Sequence, residues 1–180
     1  MEAIAIILVL VIWIGIKLSI SDLRTTFEKE YDSVSVGISL YENRLYEESI
    51  AYFQPKIIRE NPSISSFLYL ARCHVQLGNY HQAYWNFTRV LNRENNHGYI
   101  FFERGEVLQQ LEENDLALLD FDKAIWYERN NSEYYYRRGM LRLKLKKKSE
   151  ANQDFRKAKD MGHENANFYL LQPLLFSDIL

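Results

Sequence analysis

At 180 residues the chain is long enough to bury one sizeable core and too short for several domains. Its 22 Lys and Arg stand against 24 Asp and Glu, a net charge of −2 at pH 7, which excludes the broad basic field that nucleic acid requires. The single cysteine, Cys73, excludes an internal disulfide and reads as a buried structural thiol.

The first predicted element is apolar. From Ala3 to Ile16 no side chain is polar, and Lys17, Leu18, Ser19 and Ile20 follow. That is about 18 residues or roughly 27 Å of helix, close to the hydrocarbon thickness of a bilayer. Lys17 can snorkel to the headgroups, and Trp13 suits the interface. A cleaved signal peptide and a buried core helix are the competing readings. The first lacks a basic start, because Glu2 follows Met1, and it lacks an Ala-x-Ala site. The second lacks anywhere to hide. The sequence thus favours a single membrane-spanning anchor over 1–20, then a short linker or helix extension over 21–29. Lys17, Arg24 and Lys29 follow the apolar run and no cation precedes it, so the remainder of the chain is expected in the cytoplasm.

From residue 30 the chain repeats. Phe53, Phe87, Phe121 and Phe155 stand 34 positions apart. Ser49, Ala83, Ala117 and Ala151 precede them by four, and Gly37, Ala71, Gly105 and Gly139 precede them by 16. This resembles the tetratricopeptide pattern, as do the stretches FERG and YRRG and the stretches DFDKAI and DFRKAK. The resemblance covers about three quarters of the chain in units 30–63, 64–97, 98–131 and 132–165. It implies an all-α, right-handed α-solenoid of four helix hairpins, with small residues at the contact between helices and each Phe filling the space to the next hairpin. No unit can bury its apolar face alone, so the units must stack.

Turn signals at Asn43-Arg44-Leu45, Gly78-Asn79, Glu113-Asn114 and Lys146-Lys147 separate the two helices of each unit. Unit one departs most from the pattern. It has Ser33 where an aromatic is usual and Lys56 where a small residue is usual. It also carries Pro55 inside its second helix, where a kink is expected. Residues 166–180 read as a capping helix around Phe168–Leu171, broken at Pro173, and an apolar tail. That tail either folds back over the last groove or inserts into a partner.

No catalytic, cofactor-binding or metal-binding constellation is present. The four His and Cys73 lack ligand spacing, and there is no phosphate loop or nucleophile elbow. The chain is therefore not expected to be an enzyme. What the resemblance implies instead is protein binding on the concave face, which the second, fifth, sixth, ninth, twelfth and thirteenth residues of each unit line in that family. Here the partner-binding candidates are Tyr69, Arg72, Tyr99, Phe102, Glu103, Tyr136, Arg137 and Met140, and some of these aromatics must instead complete the core. Co-chaperones of the family grip a terminal carboxylate with Lys and Asn. The matching positions here hold Val34, Ile38, Tyr69, Tyr99 and Glu103, or Leu68, Arg72, Glu103, Glu133 and Arg137, so that ligand is not favoured. The architecture resembles membrane-tethered repeat adaptors that hold a partner protein near the bilayer. The alternative is an accessory subunit of a membrane complex, docked by both anchor and repeats.

Overall fold

The computed structural model describes residues 10–14, 16–17, 34–58 and 62–170. Most of the apolar run Ala3–Ile16, the linker at 21–29 and the tail at 171–180 lie outside these residues. Residues 10–14 and 16–17 are helical, with Lys17 Nζ 4.8 Å from the Trp13 ring centroid. Among the described residues, no helix is long and apolar enough to cross a membrane.

Nine helices of the repeat region follow one another without a strand among the described residues. They are α1 (34–42), α2 (Tyr46–Phe53), α3 (Ile64–Gln76), α4 (Tyr80–Arg93), α5 (Gly98–Gln110), α6 (Asn114–Tyr127), α7 (Ser132–Lys144), α8 (Lys148–Asp160) and α9 (166–170). Their apolar residues recur at helical spacing. In α4 Ala83, Phe87, Val90 and Leu91 are buried, and in α6 Ala117, Phe121, Ala124 and Ile125 take the same offsets. Helices α3, α5 and α7 pack most heavily on their hairpin partners α4, α6 and α8 and less on the neighbouring hairpin, as a solenoid requires.

The turns within hairpins share one geometry. Arg44, Gly78, Glu112 and Lys146 have φ of 63°, 72°, 63° and 61°, and they stand one repeat apart. After each, a backbone N–H returns to the residue five back: Leu45 to Leu40, Asn79 to His74, Glu113 to Leu108 and Lys147 to Arg142, at 2.8–2.9 Å. This closes the first helix of the hairpin with a Schellman-type bond, which places one residue in the left-handed region. Only Gly78 suits that region without cost.

The small residues meet the Phe of their own hairpin. A Cβ on Gly105 would stand 2.8 Å from Phe121 Cε1, and one on Gly139 would stand 2.9 Å from Phe155 Cε1. Each ring therefore fills the groove inside its hairpin first. It reaches the next hairpin second, since Leu141 of α7 joins the Phe121 cluster. All four Phe are essentially inaccessible to solvent. At the end of the stack, α9 buries Ala166, and Tyr169 stacks on Phe155 with ring centroids 5.0 Å apart.

Unit one differs from its expectation. Pro55 does not kink a continuing helix: α2 stops at Phe53 after 8 residues and passes into a 3-10 turn, Gln54–Lys56. A proline nitrogen donates no hydrogen bond, and its ring crowds the carbonyl four residues earlier, so the tighter turn replaces the α-helix. Lys56 therefore escapes the position where a small residue is usual and lays its ammonium 4.3 Å from the Tyr52 ring centroid.

Candidate functional site

The first helices of the units, α1, α3, α5 and α7, carry the candidate residues on one side of the stack. Tyr69 is half-buried, stacked on Phe53 at 6.1 Å and edge-on to Tyr41 at 5.4 Å. One turn on, Arg72 bonds both oxygens of Glu103, with Nε–Oε2 at 2.8 Å and Nη2–Oε1 at 2.5 Å. Its guanidinium also lies 5.6 Å from the Tyr69 ring and 5.9 Å from the Tyr99 ring. The Glu103 carboxylate raises the Arg72 pKa further, and burial raises the phenol pKa of Tyr41 and Tyr99. Arg72, Glu103 and the three tyrosines thus form one fixed, charge-neutral block across units one to three.

A second block spans units three and four. Arg137 is exposed and donates to Glu133 at 2.5 Å, with Glu106 farther off at 3.8 Å. Glu133 also meets His163 Nε2 at 2.8 Å, and the His163 ring stacks on Tyr136 at 4.1 Å. Burial opposes ionisation of Glu133, yet the Arg137 and His163 hydrogen bonds prevail and lower its pKa. Met140 packs on the cluster that contains Phe155 and Ala166.

Two cavities lie along this side. One of about 510 Å³ sits between α3 and α5, with Arg72, Glu103 and Glu106 on its walls and Val75, Phe87 and Val107 beneath. The other, of about 500 Å³, is lined by Tyr136, Arg137, Met140 and Lys144. Gln110 borders both, so they form one groove. Arg72 and Glu103 line its first half, and Tyr136, Arg137 and Met140 its second. Tyr69 and Tyr99 line neither cavity and instead flank the Arg72 guanidinium. Phe102 is different: its ring stacks on Tyr134 at 4.6 Å and tilts against Phe121 at 5.6 Å, so it mainly completes the core.

Beyond these candidates, Tyr80 and Gln110 also line the groove, and His163 buttresses it through Glu133. Two part-buried ion pairs tie the first helix of a hairpin to its second. Arg104 grips Asp120 at 2.7 and 2.8 Å, and one repeat later Arg138 grips Asp154 at 3.0 and 2.6 Å. Their signal was visible, because Arg and Asp recur 34 apart within FERG/YRRG and DFDKAI/DFRKAK.

Comparison with known proteins bears on this arrangement. The tetratricopeptide repeat family model matches residues 132–161, which hold α7 and α8. No curated protein sequence matches the chain. Similar solved structures include YrrB, a TPR protein with an unusual peptide-binding site, at 19% identity and a TM-score of 0.71 over 81% of this chain and 76% of that one. MamA, residues 41 to the end, from Desulfovibrio magneticus RS-1 aligns at 16% identity and 0.68 over 82% and 94%. The first TPR of Spaghetti (RPAP3) bound to the HSP90 peptide SRMEEVD aligns at 21% and 0.58 over 63% and 94%. The described residues are all-α and have the solenoid fold of tetratricopeptide-repeat structures, and the fourth hairpin matches that repeat in sequence as well.

Proposed function

We propose that this chain is a membrane-anchored scaffold, not an enzyme, that binds a partner protein in the concave groove of its repeats. The observation that carries the reading is the strip from Tyr41 through Arg72, Glu103 and Glu106 to Arg137 and Tyr136, open along two adjoining cavities, with the Tyr69 ring against Arg72. Tyr and Arg are the side chains that most often dominate binding interfaces. The TPR neighbours support a peptide-like ligand, since one is described by its peptide-binding site and another holds a peptide. An acidic carboxyl-terminal peptide fits this groove poorly, because Arg72 and Arg137 already spend their charge on Glu103 and Glu133. The anchor rests on the apolar run Ala3–Ile16, and the cations that follow it support a cytoplasmic side for the repeats.

A second reading, an accessory subunit held in a membrane complex by both anchor and repeats, gains from the outer helices. Trp85, Leu119 and Trp126 on α4 and α6 are 65%, 57% and 64% exposed, more apolar surface than a groove binder needs. Pull-down of the full chain in mild detergent, with mass spectrometry, identifies the partner. A stoichiometric complex favours the second reading. Tyr69→Ala combined with Arg137→Ala should then weaken capture of that partner about tenfold or more, ~1.4 kcal/mol. Thermal melts guard against lost folding. Undiminished capture by the folded double variant would move the site out of the groove. The anchor is tested separately: the chain should stay with membranes through carbonate extraction, and release would refute it.

A further inference from the structure

We propose that the cavity between α3 and α5 is a subsite for one basic side chain, a Lys or Arg of the bound segment, with Glu106 as its counter-charge. The inference rests on the groove reading above and adds which chemistry the groove selects.

The charges along the groove are not equally satisfied. Arg72 and Glu103 neutralise one another through two hydrogen bonds. Arg137 Nε donates to Glu133 Oε1 at 2.5 Å, which uses the donor that Glu106 faces. Glu106 is left 3.8 Å from that nitrogen, beyond hydrogen-bond range, with no hydrogen bond among the described residues. Burial raises its carboxyl pKa, and the Arg137 charge only partly opposes that. A carboxylate that borders an open cavity and lacks a donor gains most from a cation brought by a ligand.

The rest of the cavity suits a long cationic side chain. Val75, Phe87 and Val107 make an apolar bed for a methylene stem, and Tyr41 and Tyr80 add aromatic side chains to the lining. Gln76 and Gln110 at the rim are the last residues of α3 and α5, so two helix carboxyl ends, each with partial negative charge, converge there. An acidic side chain would meet the same dipoles and Glu106 with no free cation, because Arg72 is clamped. At about 510 Å³ the cavity has room for one Lys or Arg side chain.

The test uses the full chain in mild detergent and a bead-bound library of random nonapeptides capped at both ends. Wild type should recover peptides with Lys or Arg at one fixed position. Replacing that residue by norleucine, or making Glu106→Gln, should each lower affinity about tenfold, and the two changes together should cost little more than either. Glu106→Lys should move the selection toward Asp or Glu at that position. Glu106→Gln should melt no lower than wild type, since it removes a partly desolvated charge. Recovered peptides with no fixed basic position, or full affinity in Glu106→Gln, overturn the subsite. If those peptides still lose binding in Tyr69→Ala with Arg137→Ala, the groove reading survives that result. Recovery of no peptide, or of peptides indifferent to every groove variant, overturns both.

Discussion

Gly105→Ala adds one methyl group and sets two effects of opposite sign against each other. In an open helix the change is favourable by about 1 kcal/mol, because Gly loses more backbone freedom than Ala. Here the new Cβ would lie 2.8 and 2.9 Å from Phe121 Cε1 and Cδ1, and 3.4 Å from the Ala117 carbonyl oxygen. Carbon atoms in contact rest at roughly 3.5–4.0 Å, so the ring or the helix must give by about 0.7 Å. The ring has nowhere to go: Phe121 is fully buried among Leu108, Ala117 and Leu141, with Phe102 at 5.6 Å. Overpacking of this kind costs about 1–3 kcal/mol. The net expectation is a loss of about 1 kcal/mol, and Gly105→Leu should lose ~3 kcal/mol. In a chain of this size each kcal/mol lowers the melting temperature by about 2–4 °C. Circular-dichroism melts of the full chain in detergent read the shift, with urea midpoints as a check. A gain in stability for Gly105→Ala would refute the reasoning, because it would mean propensity alone decides and α5 does not touch α6 there.

Two further changes probe the turns and the buried charges. Lys146→Gly relieves a φ of 61°, and it should raise stability by up to ~1 kcal/mol; a lower melting temperature would show that the lysine side chain contributes more than its backbone costs. Asp154→Ala removes one carboxylate from Arg138 and Arg142, whose side chains are 15% and 17% exposed; Asp122 still holds Arg138 and Glu150 stays near Arg142, so the loss should be about 2 kcal/mol in urea unfolding. A loss under ~1 kcal/mol would mean that Asp122, Glu150 and water already satisfy both guanidinium groups.

The 34-residue spacing of Phe53, Phe87, Phe121 and Phe155 was enough to phase the hairpins, because each ring needs a small residue opposite it and the sequence supplies one 16 positions earlier. Other features left weaker traces. Arg44, Glu112 and Lys146 take the left-handed turn that Gly78 takes, and nothing in a charged side chain announces that conformation. The shape of the chain imposes it, since the Schellman-type bond must close every first helix in the same way. Pro55 was visible, but whether a proline bends a helix or ends it depends on what the following turn packs against. In unit one the 3-10 turn buries none of its own residues, and Ile57 just after it returns to pack on the core.

The groove was legible only residue by residue, because its pairing runs between units. Arg72 meets Glu103, and Glu106 meets Arg137; each pair is separated by 31 positions. That interval is one repeat less three residues, so the ninth position of one unit faces the sixth of the next. Ile38 and Tyr69 hold the same relation and pack in one apolar cluster. The rule follows from stacking neighbouring first helices with one turn of offset, and it requires the repeat to be folded before it can be seen. Once it is known, the charges read as two opposed pairs, Arg over Glu and then Glu over Arg. The second pair differs because Glu133, one turn before Arg137 on the same helix, reaches the guanidinium first. A local contact within α7 therefore decides which carboxylate in the groove is left short of a partner. The selectivity of the groove then depends on the spacing of Glu133 and Arg137 along one helix as much as on Glu106 itself.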